Sequence, residues 1–329
     1  MKIAIVKLSS LGDIVHSMVV LQFVKKHYPD SEIDWIVEKR FQGVLENNPH
    51  INQIHAINLK AAKKQKSLKL LFKELLQLRK FGKYDVVIDL QGLIKSALVA
   101  KLIDSKKLVG FDKNSIRERL ASYFYNQKVA IGYNKNSIER CAKLISEALR
   151  IKITKDDLIN KELYLFSKSN LCISQTPYIV FVAGSTWESR NYPKESYVEI
   201  ADALNKSCFV TWGNEQEKES AEWMRNKSKY IQVMPKLNFD DLKQVIRHSS
   251  LLIGNDTGPS YIAWALNKPS IILFGPTPVE RSFQTPINKV LQSSSKINHF
   301  KLDKNDFSIK EIKASNIIKI ANDLLKENI

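Results

Sequence analysis

Cysteine is scarce: Cys141, Cys172 and Cys208 are the only three in 329 residues, odd in number and widely spaced. That excludes a disulfide framework and any CxxC zinc or redox site, and it fits a reducing compartment. No stretch approaches the roughly 18 consecutive apolar residues that a spanning helix needs. The opening MKIAIVKLSSLGD carries an apolar run too short for a signal peptide and no small-residue cleavage site, so a first strand is expected there. A soluble chain with at most peripheral membrane contact follows as the expectation. Internal repeats and low-complexity tracts are missing too. So are GxGxxG after the first strand and GxxxxGK[ST], which disfavours a dinucleotide-binding motif and a P-loop. No aspartate lies two positions from another, and the six histidines show no HxxxH or HExxH spacing, so no catalytic metal is expected.

Negative charge is also in short supply. Lys and Arg number 51 against 34 Asp and Glu, a formal net charge of +17. Residues 1–170 hold 31 of the cations and 17 of the acids, a net of +14, which leaves +3 for the remainder. The asymmetry points to an anionic partner for the first half: nucleic acid, an acidic membrane surface or an anionic substrate. A merely lysine-rich surface is the bland alternative. With 44% apolar and 26% charged residues, the composition is that of a globular protein.

What is present is an alternation of short apolar strands and helical stretches, the pattern of a parallel sheet covered on both faces. Strands are expected at Lys2–Leu8, Glu32–Glu38, Gln53–Leu59, Tyr84–Leu90 and Lys107–Phe111. Helices are expected at Ile14–His27, Gln65–Lys80, Leu93–Ile103, Ser115–Tyr125 and Ser137–Arg150. The periodicity breaks at Leu165–Pro177, which sets a boundary between domains 1–168 and 169–329. Alternation resumes with strands at Tyr178–Gly184, Cys208–Gly213, Ile231–Pro235, Leu251–Asn255 and Ser270–Gly275. Ile309–Asn328 reads as a terminal helix, one that could pack back on the first domain. The expected class is α/β, two Rossmann-like doubly wound domains facing across a ligand cleft.

Polar loops close several of these strands. Lys7-Leu8-Ser9-Ser10-Leu11-Gly12-Asp13 follows the first; Asp13 there is either a general base or, with Ser10, an ordinary helix cap. Asp89-Leu90-Gln91-Gly92-Leu93-Ile94-Lys95-Ser96 offers Gln91 and Lys95 as donors to a ligand, or is a plain turn. Ser185, Thr186 and Arg190 make a phosphate site between a strand and a helix, and the Asn255–Ser260 loop is a second in the same half. Two such loops in one domain suit a nucleotide-diphosphate donor. Glu217 either accepts ribose hydroxyls or is a surface glutamate.

Taken together, VKLSSLGDIVHS (Val6–Ser17), DLQGLIKSA (Asp89–Ala97), IRERLASYFYNQK (Ile116–Lys128), RNYP (Arg190–Pro193), NDTGPS (Asn255–Ser260) and FGPT (Phe274–Thr277) resemble the bacterial ADP-heptose:lipopolysaccharide heptosyltransferases. SSxGDxxH and DxQGLxKS point within that family to the branch that adds the first heptose. The resemblance implies a GT-B fold and an inverting, metal-independent transfer with no cofactor. Its implied donor is ADP-L-glycero-β-D-manno-heptose and its implied acceptor is Kdo–lipid A at the inner face of the bacterial inner membrane. Asp13 matches the family's general base. Ser185, Thr186, Thr257 and Gly258 match donor-phosphate contacts, Glu217 a ribose ligand, Asp256 a heptose-hydroxyl ligand and Leu237 an adenine-side contact.

Arg190 stands where the family commonly has lysine, and Tyr261 where a histidine commonly follows the DTG loop, which leaves tyrosine a neutral donor in that place. On the acceptor side the expected residues are Ser10, Gly12, Lys60, Lys63, Lys64, Gln91, Arg117 and Arg119, the lysines doubling as contacts to an anionic membrane surface or forming only a solvated helix face. A transferase acting on a later core acceptor is the near rival. A nucleic-acid-binding protein is the distant one: helix-turn-helix, RRM and zinc-finger patterns are absent, so no nucleic-acid partner is expected.

Overall fold

A computed structural model describes residues 1–299 and 301–326, without the side chains of residues 62, 63, 68, 71 and 72. The chain forms two compact units, Met1–Tyr164 and Leu165–Ile329, so the boundary expected at 168/169 sits just inside the second.

The first unit runs β1 (Lys2–Val6), α1 (Leu11–Met18), α2 (Val20–His27), β2 (Glu32–Glu38), α3 (Gln42–Leu45), β3 (Gln53–Ile57), α4 (Leu59–Lys64), α5 (Leu68–Leu78), β4 (Val86–Asp89), α6 (Ile94–Leu102), β5 (Leu108–Phe111), a 3-10 segment (Arg119–Phe124), β6 (Gln127–Val129), α7 (Ser137–Leu149) and α8 (Lys155–Ile159). Its six-stranded sheet has the order β3-β2-β1-β4-β5-β6, every pair parallel. β1 (KIAIV) and β4 (VVID) are nearly continuous apolar runs because helices cover both faces, and Ile3, Ile5, Val87 and Ile88 are fully buried. Each such side chain contributes roughly 1.5–3 kcal/mol of burial.

The second unit repeats the plan with β7 (Ile179–Val182), α9 (Lys194–Leu204), β8 (Cys208–Val210), α10 (Glu215–Arg225), β9 (Ile231–Val233), α11 (Phe239–His248), β10 (Leu251–Asn255), α12 (Tyr261–Ala265), β11 (Ser270–Phe274), β12 (Asn288–Gln292) and α13 (Ala314–Lys326). The order is β12-β11-β10-β7-β8-β9, again parallel throughout. The terminal helix α13 buries Ile317, Ala321 and Leu324 in the core of its own unit, against α9 and the sheet.

Several elements differ from the sequence reading. The expected helix Ile14–His27 is two helices, α1 and α2, and Gln65–Lys80 is the shorter α5 preceded by α4. Ser115–Tyr125 is not α-helical: Ser115 and Asp112 form a turn, and only a 3-10 segment follows. The short edge strands β6 and β12 were not foreseen. No helix of the described residues is long and apolar enough to cross a membrane.

In each sheet the order reverses once, between β1 and β4 in the first unit and between β7 and β10 in the second. Adjacent crossovers leave on opposite faces there, opening a crevice at the carboxyl edge where doubly wound proteins hold their ligands. The two loops that flank each crevice are those that the motifs singled out.

Candidate active site

In the first unit the loop after β1 carries Ser10, Gly12 and Asp13, and the loop after β4 carries Gln91. Asp13, exposed in the first turn of α1, accepts hydrogen bonds from Ser10 N at 3.0 Å and Ser10 Oγ at 2.7 Å. Ser10 is the N-cap of α1 and Asp13, three residues on, closes its capping box, while a carboxylate in the first turn is also favoured by the dipole. Capping also fixes its position at the crevice, so the two roles considered for Asp13 are compatible.

Gln91 differs from its expected use. Its Oε1 accepts from Leu8 N at 2.7 Å and Ser9 N at 3.2 Å, so the side chain pins the β1–α1 loop. Lys95 Nζ reaches Ser9 Oγ at 3.4 Å, and Lys7 Nζ donates to Leu90 O at 2.9 Å. Beneath lies Asp89, fully buried, accepting from Ser96 Oγ and Tyr125 Oη at 2.8 Å each, Gln91 N at 2.9 Å and Gly92 N at 3.3 Å. Burial pushes its carboxyl up despite these donors. Gly92 is required here: φ is +69°, and a Cβ would lie 2.6 Å from Ile116 Cγ2.

The other residues expected on the acceptor side follow the ends of β3 and β5 at the same edge. Lys60 and Lys64 are exposed on α4, which follows β3 directly, and the Lys63 side chain lies outside the described residues. Arg117 and Arg119 are exposed after β5, with Arg117 Nη2 3.8 Å from Glu118. Motif reading missed Glu38, buried at the carboxyl end of β2. Burial pushes its carboxyl up, against the Lys60 backbone N–H and the charges of Lys95 and Arg40.

The second unit assembles its residues more tightly. Arg190, at the end of a 3-10 turn after β7, is 9% exposed and rests over the Trp187 ring at 4.7 Å. Its Nη1 reaches Asp256 Oδ2 at 3.3 Å and its Nη2 donates to Thr186 Oγ1 at 2.9 Å. Asp256, in the loop after β10, is 2% exposed and also accepts from Thr277 Oγ1 at 2.6 Å and from the Tyr261 hydroxyl. A second arginine, Arg281, stands 3.8 Å from the same Oδ2.

Asp256 is thus an anchor on which two guanidiniums converge rather than a carboxylate open to a sugar hydroxyl. Tyr261 likewise spends its hydroxyl on Asp256, and burial with that carboxylate beside it pushes the phenol well up, so it is a neutral donor. Thr277 and Arg281 were missed as site residues. FGPT was visible as a motif, but nothing local showed that its threonine meets Asp256.

Four buried polar atoms in this one loop find no partner among the described residues: Ser185 Oγ, Ser189 Oγ, Arg190 Nε and Asn191 Oδ1. Native proteins leave few such atoms, and a cluster of them marks a place for water or ligand. Thr257 and Gly258 follow β10, Gly258 opening a 3-10 turn, and both are half-buried. Asn255 holds the two loops together, its Nδ2 donating to Ala183 O at 2.6 Å and its Oδ1 accepting from Tyr192 N at 3.2 Å.

Asn214 caps α10, and Glu217 in its first turn ties back to it: the Glu217 carboxylate accepts from Gly213 N at 2.7 Å and Asn214 Nδ2 at 2.8 Å. It also lies where a Cβ on Gly184 would stand, so it lines the end of β7 beside Ser185. Leu237 is half-buried ahead of α11. No group of three His, Cys, Asp or Glu side chains that could hold a metal comes together among the described residues.

Two six-stranded parallel sheets, each with a polar crevice at its point of strand reversal, make up a GT-B fold. The sequence matches glycosyltransferase family 9 (heptosyltransferase) over residues 71–309, and the chain belongs to that family. It is 40% identical to lipopolysaccharide heptosyltransferase 1 of Campylobacter coli, over 98% of this chain and 99% of that protein. Escherichia coli heptosyltransferase WaaC with ADP superposes with a TM-score of 0.82 at 24% identity, all of both chains being covered. The same enzyme with ADP-2-deoxy-2-fluoro heptose gives 0.80 at 25% identity, again over all of both chains. The chain is therefore a glycosyltransferase.

Proposed function

We propose that the protein transfers L-glycero-D-manno-heptose from ADP-L-glycero-β-D-manno-heptose to Kdo of Kdo–lipid A, with inversion and without a metal, as the first heptose of the lipopolysaccharide inner core. The observation that carries the reading is the β7–β10 crevice, with its Arg190 guanidinium, its second arginine and its cluster of unpartnered polar atoms. Such a set suits the diphosphate of a nucleotide sugar. The Campylobacter coli relative, named as heptosyltransferase 1, and the neighbouring structure with a fluorinated ADP-heptose support heptose as the sugar.

In the step proposed, an acceptor hydroxyl oxygen forms the new bond to the anomeric carbon while the bond from that carbon to the β-phosphate oxygen breaks. The electron pair of that bond leaves on ADP, and the hydroxyl proton passes to the Asp13 carboxylate. Negative charge grows on the diphosphate as it departs; Arg190, Arg281, Thr186 and Ser185 are the groups to meet it. Glu217 takes the ribose, and Leu237 the adenine side. Thr257 and Gly258 take donor phosphate, and Asp256 acts through the arginines that it holds.

A Kdo–lipid A acceptor is anionic and membrane-borne, so the enzyme works as a peripheral protein on the cytoplasmic face of the inner membrane. Its basic first unit is suited to that partner. The test offers ADP-heptose with either Kdo–lipid A or an acceptor already carrying one heptose. Product with Kdo–lipid A is expected. Product only with the heptosylated acceptor would assign the enzyme to a later step.

A further inference from the structure

The segment Ile116–Lys128 gives Arg117 and Arg119 to the proposed acceptor side and leaves its exposed apolar members without a task. Leu120 and Tyr123 are 63% and 72% exposed, the largest values among the exposed large apolar side chains of the described residues. They stand three apart in the 3-10 segment, where side chains at i and i+3 eclipse, so both project on one side. That segment packs on α6, and Glu118 Oε2 ties the two by accepting from Ile94 N at 2.8 Å.

On α6 the exposed positions are Lys95, Leu98 and Lys101, spaced by three on one face, while Ala97, Val99 and Ala100 turn inward. Leu98 is 44% exposed. Single exposed apolar residues are ordinary, but these three stand on two elements that pack together. Its surroundings are cationic. Arg117 and Arg119 lead into the 3-10 segment, and Lys128 Nζ lies 5.8 Å from the Tyr123 ring centre. Glu118 is the only acid among residues 113–128, and residues 90–103 contain none.

Apolar tips among long-stemmed cations match the headgroup region of an anionic bilayer, which takes leucine and tyrosine below and holds ammonium and guanidinium at its phosphates. A second copy of the chain would bring two cationic rims together, so like charge opposes pairing through this face. We propose that Leu98, Leu120 and Tyr123, with their cationic rim, form the face that docks the first unit on an anionic lipid surface. This rests on the reading of a lipid-borne acceptor and specifies which surface meets the bilayer.

The experiment sediments the whole protein with phosphatidylcholine vesicles, with and without phosphatidylglycerol, and compares it with a Leu120→Asp/Tyr123→Asp double variant. The wild type is expected on the anionic vesicles. The double variant is expected to partition roughly tenfold more weakly or worse, with ADP affinity and Tm unchanged. Equal partitioning of the variant overturns this face while leaving a peripheral enzyme intact. Failure of the wild type to bind either vesicle overturns the peripheral reading together with the face. A dimer in sedimentation velocity that the double variant abolishes assigns the patch to a second copy and overturns the lipid.

Discussion

Replacing Arg190 by alanine removes one cation and two hydrogen bonds from the β7–β10 crevice, those to Asp256 and Thr186. The cost divides into stability and catalysis. Stripping a partner from a buried ion pair costs about 3–5 kcal/mol when the remaining charge is abandoned. Asp256 is not abandoned: Thr277, Tyr261 and Arg281 remain around it. The loss is therefore expected near 1.5–3 kcal/mol, about the worth of a hydrogen bond between charged groups, read as a Tm lower by several degrees.

Catalysis should suffer more, because negative charge on the departing diphosphate is greater in the transition state than in the bound donor. Losing one preorganised donor there costs about 10²–10³ in kcat, with a raised KM for ADP-heptose. Arg190→Lys keeps the charge, but one ammonium cannot reproduce both contacts of the fork, so a loss of about tenfold or less is expected. Steady-state kinetics with varied ADP-heptose, alongside thermal melts, separates these effects. Essentially wild-type kcat and KM in the alanine variant would refute the reasoning and move the diphosphate elsewhere.

Asp13→Asn should cut turnover by about 10²-fold or more while leaving ADP affinity intact, and Tm should barely move because the asparagine amide oxygen still accepts from Ser10 N in the capping box; unchanged turnover would reduce Asp13 to its bond with Ser10. Neutralising Lys60 and Lys64 together should raise the acceptor KM and flatten its salt dependence, with the donor KM unchanged; an equal effect on both substrates would indicate damage to the fold. Burial pushes the Lys161 ammonium down to about 7 from its ordinary 10.5, so between those values the unfolded chain binds the extra proton and stability rises with pH. Below about pH 7 the buried charge costs its full amount, at most roughly 5 kcal/mol. Lys161→Met should be the more stable protein at pH 7 and should lose part of that rise, which denaturant titrations at pH 7 and 9 would measure.

The loops at the strand ends could be read from the sequence because each joins an apolar strand to an amphipathic helix with small polar residues between. Asp13, Arg190 and Asp256 stand where that grammar put them. What escaped was set by contacts between distant segments. Gln91 looked like a ligand donor until its carbonyl met Leu8 N and Ser9 N, and Asp89 finds Tyr125 across an intervening strand. Arg281 sits in no pattern of its own and matters only because Asp256 is beside it. β6 and β12 are short edge strands with mixed residues, QKV and NKVLQ, too brief for alternation to reveal. Ser115–Tyr125 carried a helical pattern but folds as a turn and a 3-10 segment, tied to α6 by Glu118.

The central claim is the transfer of one heptose from ADP-heptose to Kdo–lipid A. Purified protein, ADP-heptose and defined Kdo–lipid A, incubated in EDTA, should give an acceptor heavier by one heptose, with ADP released in equal amount and the anomeric configuration inverted. An acceptor of unchanged mass, or a product that forms only when Mg²⁺ or Mn²⁺ is restored, would contradict the account.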